Sequence, residues 1–124
     1  MTLKDRWYRD KLKKKAKKGF QGYPLATVAF YGPDDKRATK VSVAIIVDEG
    51  NEVSLLERWL SDSVDVRVDP QINESIVHFI EHHGVRSIAA TDRIIGCPHE
   101  EGIDYPEGEI CPACSFWAGR DRWA

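Results

Sequence analysis

VDVRVDPQINESIVHFIEHHGVRSIAAT, residues 64–91, is the stretch whose reading decides the fold. Val64, Val66 and Val68 alternate with charged residues and predict a short strand with its valines on one face. Asp69-Pro70 is a helix entrance, because Asp at the N-cap accepts from opening amides and Pro at the first helical position lacks only an amide that would go unpartnered. Ile72, Ile76, Phe79 and Ile80 recur at helical spacing as far as His83, and Gly84 supplies the stop. Val85 to Thr91 reads as a further strand. Strand, helix and strand in this order predict a right-handed crossover into parallel pairing, hence an α/β (α+β) fold with a small mixed sheet.

Outward from this unit, Leu25 to Tyr31 reads as a strand with Val28 and Phe30 toward one face. Gly32-Pro33-Asp34-Asp35-Lys36 is turn chemistry. Thr39 to Asp48 is the clearest strand, with Val41, Val43, Ile45 and Val47 on one side, so these two strands make a β-hairpin. Val53 to Leu60 places Val53, Leu56, Trp59 and Leu60 at helical offsets and predicts a short helix. Thr2 to Lys18 has no Gly or Pro, is rich in helix formers, starts at a plausible N-cap in Thr2 and stops at Gly19. Its apolar residues Leu3, Trp7, Tyr8, Leu12 and Ala16 form a narrow stripe for docking on a neighbour, and its other faces are basic.

A chain of 124 residues is the size of one domain and can bury a real core. The reading is one domain over residues 1–124, divided into a basic helix at 1–18, an α/β core at 23–92 and a metal-binding tail at 93–124. No apolar run approaches a membrane span, and the charged N-terminus lacks the apolar core of a secretory leader. The expected location is therefore the cytoplasm, where thiols stay reduced. The net charge of −2 hides an asymmetry: nine Lys or Arg against two Asp over residues 1–18 give +7, and the rest is −9. The two parts can attract one another or each meet its own partner.

Every cysteine lies in GCPHEEGIDYPEGEICPACSFW, residues 96–117. Cys97 and His99 form one short-spaced pair, and Cys111 and Cys114 form another. Three thiolates and an imidazole satisfy a tetrahedral Zn2+ without water, each pair biting from a tight turn, so a zinc knuckle that staples one end of the domain is expected. A redox dithiol at Cys111 and Cys114 is the weaker reading, since such pairs usually open a helix after a strand. His99-Glu100-Glu101 followed by a C-x-x-C also evokes zinc deaminases, with Glu101 moving protons. Only nine residues separate Glu101 from Cys111, too few for the helix and strand those enzymes place there, and Cys97 is an obvious fourth ligand. Another zinc hydrolase with Glu100 or Glu101 as general base stays as the enzymatic alternative, although the balance leans away from an enzyme.

Other chemistry-bearing residues have plainer explanations. Asp48, Asp69 and Asp92 fall at strand ends, where caps and turns use aspartate. His82 and His83 favour a helix C-terminus. Glu100, Glu101, Asp104, Glu107 and Glu109 form an acidic rim suited to a basic partner, such as the chain's own N-terminal helix. Phe116, Trp117 and Trp123 with Arg120 and Arg122 form an aromatic and cationic tail that packs over the knuckle or stacks on bases.

GCPHEEGIDYPEGE followed by CPAC and FW, with YPLATVAFYGPDD upstream, resembles a family of small uncharacterised bacterial proteins from Tyr23 onward. The resemblance implies a metal-binding knuckle at Cys97, His99, Cys111 and Cys114. That family's pattern has Pro after the last cysteine where this chain has Ser115, which touches the backbone of the knuckle rather than its ligands.

The functional expectation is a binding module with a structural zinc site, with nucleic acid as the leading partner and a protein surface as the alternative. Lys11, Lys13, Lys14, Lys15, Lys17 and Lys18 would neutralise phosphates and Trp7 would stack on bases. A dimer joined through the acidic and basic parts is a third reading.

Overall fold

The structure is a computed structural model that describes residues 3–50, 53–100, 103–109, 111–112 and 114–117. Thr2, Glu101, Arg120, Arg122 and Trp123 lie outside the described residues, as do the side chains of Leu3 and Asp92. Elements follow as α1 (Leu3–Lys17), β1 (Leu25–Tyr31), β2 (Lys40–Ile46), β3 (Leu55–Leu60), α2 (Pro70–His82) and β4 (Ser87–Ile94), with a 3-10 turn at Ser115–Trp117. The four strands form one mixed sheet in the order β3-β2-β1-β4. This is the expected α+β fold.

The hairpin of β1 and β2 is antiparallel, in register from Leu25↔Ile46 to Tyr31↔Lys40. Between them Gly32 is dictated by close approach, because a Cβ there would stand 2.1 Å from the Arg37 carbonyl oxygen. Alternation then separates two faces. Ala26, Val28, Val41, Val43, Ile45 and Ile88 are buried under the helices, joined by Ile72, Ile76 and Ile80 of α2, with Leu12 and Ala16 of α1 packed at the margin. Thr27, Ala29, Tyr31, Ser42 and Ala44 form the opposite, half-buried face. α2 begins as its sequence dictates: the Asp69 carboxylate accepts from the amides of Gln71 and Ile72 at 3.0 and 3.2 Å. It ends at His83 before Gly84, whose φ of +63° suits glycine.

Two expected elements are corrected. Residues 53–60 are not a helix: Leu55–Leu60 is strand β3, antiparallel to β2 in register from Lys40↔Leu60 to Ile45↔Leu55. The helical spacing misleads because β3 is an edge strand that buries little. Leu60 is 69% exposed, Leu55 and Leu56 are also exposed, and only Trp59 packs inward, edge-on to Phe79. Backbone pairing to β2 sets the conformation, and local periodicity cannot report it.

Residues 64–68 are not a strand. They form a turn in which the Val68 amide donates to the Asp65 carbonyl at 3.0 Å and the Val66 amide to Ala38 at 2.9 Å. The Asp65 carboxylate accepts from the amides of Ala38 and Arg67 and from the Arg67 guanidinium. Val66, at 0% exposure, is the plug that this turn pushes into the core. A short polar side chain that bonds its own neighbours competes successfully with a ladder.

The crossover therefore changes partners. β4 pairs in parallel with β1, in register from Leu25↔Ser87 to Val28↔Ala90. The strand–helix–strand unit is β3–α2–β4, and its two strands lie at opposite edges of the sheet.

Candidate metal centre

The tail leaves β4 beside the β1–β2 turn. The Ile95 amide donates to Phe30 and the Gly32 amide to Gly96, both at 2.9 Å. Cys97 is thereby set at the end of the sheet, close to where the turn Ser115–Trp117 returns. Trp117 closes the return by donating its Nε1–H to the Gly32 carbonyl at 2.8 Å. One glycine residue, through its N–H and its C=O, holds both ends of the loop.

Within it, Cys97, His99, Cys111 and Cys114 present four ligand atoms within 4.8 Å of one another. His99 Nδ1 lies 3.3, 3.4 and 3.5 Å from the sulfurs of Cys97, Cys111 and Cys114. A tetrahedral site with Zn–S about 2.3 Å and Zn–N about 2.0 Å places each sulfur about 3.5 Å from the nitrogen. Nδ1 is therefore the imidazole nitrogen that faces the three sulfurs and would be the ligand atom for a metal held there. The His99 amide donates to Cys97 Sγ at 3.3 Å, an N–H to sulfur bond that supports thiolate charge. All three cysteines are buried, with Tyr105 and Trp117 packed around them.

This burial has a chemical consequence. It pushes the Cys97 thiol up to about 12 and raises Cys114 as well, with the neighbouring sulfurs adding to the effect at Cys97. Without a cation Cys97 and Cys114 hold their protons at neutral pH, so a metal that binds them must displace protons. The cluster of three thiols and one imidazole is suited to hold a metal ion.

The acidic rim is tied to the sheet. Glu100 receives Arg58 of β3 through Nε at 2.8 Å and Nη2 at 2.7 Å, and Lys40 of β2 stands 3.6 Å away. Lys40 is only 6% exposed and donates to the Pro98 carbonyl at 3.0 Å, so it clamps the first ligand pair onto β2. A general base at Glu100 would have to leave both cations. Asp104 accepts from the Glu100 amide at 2.7 Å and shapes the loop. Among the described residues the cations at Glu100 come from the sheet rather than from the N-terminal helix: they are Lys40 and Arg58. Their sequence context carried no signal, and neither did that of Tyr105, whose lone aromatic ring between two ligand pairs was the nearest hint.

The basic residues of α1 divide about its docking stripe. Tyr8, Leu12 and Ala16 face the body: Tyr8 donates to Glu74 at 3.4 Å and meets His78 edge-on. On one flank Lys11, Lys14, Lys15 and Lys18 line an open groove together with Arg86, which follows α2. Lys11 is ion-paired with Glu81, and its ammonium lies 4.8 Å over the Trp7 ring. Trp7 is 53% exposed. Lys13 and Lys17 sit on the other flank with Arg9.

A mixed four-stranded sheet with two helices on one face and a cluster of three cysteines and one histidine at its end defines an α+β domain with a candidate metal knuckle. Comparison with protein-family models, curated proteins and solved structures finds no match. Among the described residues no helix is long and apolar enough to cross a membrane.

Proposed function

We propose that this protein is a binding module whose chain end is stapled by Zn2+ and whose basic helix flank meets the phosphate backbone of nucleic acid. Zinc is favoured by donor chemistry: three thiolates and one imidazole at tetrahedral spacing suit a borderline-soft ion without ligand-field preference. A closed shell assigns the ion a structural role. The likeness of GCPHEEGIDYPEGE and CPAC to the small bacterial family belongs to this reading, as does a reducing cytoplasm in which the thiols stay available.

The observation that carries the partner is the groove lined by Lys11, Lys14, Lys15, Lys18 and Arg86. Four cations from one helix flank and a fifth from a separate segment line one path, and such a row releases counterions when it meets phosphates. Trp7, exposed at the start of the same flank, offers a ring on which a base can stack.

Fluorescence anisotropy with labelled single-stranded and duplex oligonucleotides tests this. Binding should weaken steeply between low and physiological salt, and Lys14→Glu with Arg86→Glu should flatten the dependence by about two charges. Absence of binding at low salt, or binding that ignores both salt and these substitutions, refutes the proposal.

A further inference from the structure

Among the described residues, the helices leave part of the sheet unsealed on the other flank of α1. Val28 and Phe30 of β1 with Ile88 and Ala90 of β4 form the floor of a cavity of about 330 Å³, walled by Leu12 and Ile76. This is the face whose other positions are buried, yet Ala90 remains exposed and Phe30 half-buried. The rim is cationic. Arg9, Lys13 and Lys17 succeed one another at intervals of four along α1, so they stand in a row above the floor. One wall is polar: Asn73, 5% exposed, donates its Nδ2–H to the Arg67 carbonyl at 3.3 Å, and both residues line the cavity.

An apolar floor under a row of cations selects a ligand with an apolar body and an anionic head. Neither part suffices alone, because an inorganic anion would leave the floor wet and a neutral hydrocarbon would leave the rim unused. Size narrows the choice. A volume of about 330 Å³ lies at the small end of the range for small-molecule pockets, which suits an acyl chain of modest length better than a bulky polycyclic body. We infer that the cavity between α1 and the sheet is a binding site for a small amphipathic carboxylate, an acyl chain of medium length with its carboxylate among Arg9, Lys13 and Lys17.

This site is separate from the nucleic-acid groove, since the Leu12 and Ala16 stripe divides the two flanks. Titration of the full chain with decanoate, 1-decanol and butyrate, followed by methyl and amide NMR shifts, tests it. Decanoate should saturate at one per chain and shift Val28, Ile76, Ile88 and Ala90. Decanol and butyrate should each bind at least tenfold more weakly. Arg9→Gln with Lys17→Gln, two substitutions on the helix surface, should remove the preference for decanoate over decanol while the spectrum keeps its dispersion. Equal binding of decanoate and decanol, non-saturating shifts, or shifts centred on the exposed leucines of β3 would overturn the inference. Loss of nucleic-acid binding in the Lys14 and Arg86 variant leaves this result unchanged, so the two proposals fail independently.

Discussion

The N-terminal helix α1 and the described part of the tail as far as Trp117 lie against the same sheet but are held by different physics. The tail is fixed through a few directional contacts: four ligand atoms converging on one point, the Trp117 bond to Gly32, and Lys40 reaching Pro98. α1 is fixed by a stripe of partly buried apolar residues and polar contacts at its margin, among them Tyr8 to Glu74 and Lys11 to Glu81. Directional anchors fail at a single atom, whereas a distributed stripe tolerates change. The cations of α1 are spread over two flanks, whereas Lys40 and Arg58 near the tail are engaged by Pro98 and Glu100.

The largest effect is expected at the tail. Cys111→Ser should abolish stoichiometric metal binding and destabilise the domain by about 3 kcal/mol or more, because metal affinity is folding free energy in such a site. Thermal melts with and without a chelator check this: the chelated wild type should melt like the variant. Between the two ends, Asp65→Asn should cost about 2 kcal/mol at neutral pH, since the carboxylate bonds two amides and a guanidinium.

The pH dependence of that second variant has a definite sign. Burial alone would raise the Asp65 carboxyl, but the Arg67 side chain and the amides of Ala38 and Arg67 outweigh it and hold it below its ordinary value of 3.8. A depressed carboxyl stabilises the fold above its unfolded pKa, and the contribution disappears as pH falls through the folded one. Denaturation of wild type and variant should therefore differ fully above about pH 4 and converge at more acidic pH.

At the N-terminal end the effects are smaller. Leu12→Ala should lower stability by about 1–2 kcal/mol in urea titrations, the loss for a partly buried leucine, without changing metal content. Lys11→Ala should leave the melting temperature unchanged, because its pair with Glu81 is solvent-exposed.

How much of this was legible in the sequence depended on whether the controlling interactions were local. Asp69-Pro70 and Gly84 mark α2 because a cap and a stop act within one turn, and the alternation of Val41, Val43 and Ile45 marks β2 because one face is buried. The gathering of Cys97, His99, Cys111 and Cys114 was legible from spacing alone. β3 was not, since its conformation comes from pairing with β2 while most of its side chains face solvent. The turn at 64–68 mimicked a strand because Val64 and Val68 alternate with Val66, yet only Val66 is fully buried, and Asp65 bonds amides of both its own turn and the distant Ala38. Arg86, Lys40 and Arg58 acquire their roles only when folding brings them to α1 or to the knuckle. An isolated cation in a strand carries no mark of such a neighbour.

X-ray absorption on the metal-loaded chain tests the four-ligand metal staple. It should give one zinc per chain with three sulfurs at about 2.3 Å and one nitrogen at about 2.0 Å. A shell containing oxygen from water, or fewer than three sulfurs, would contradict it.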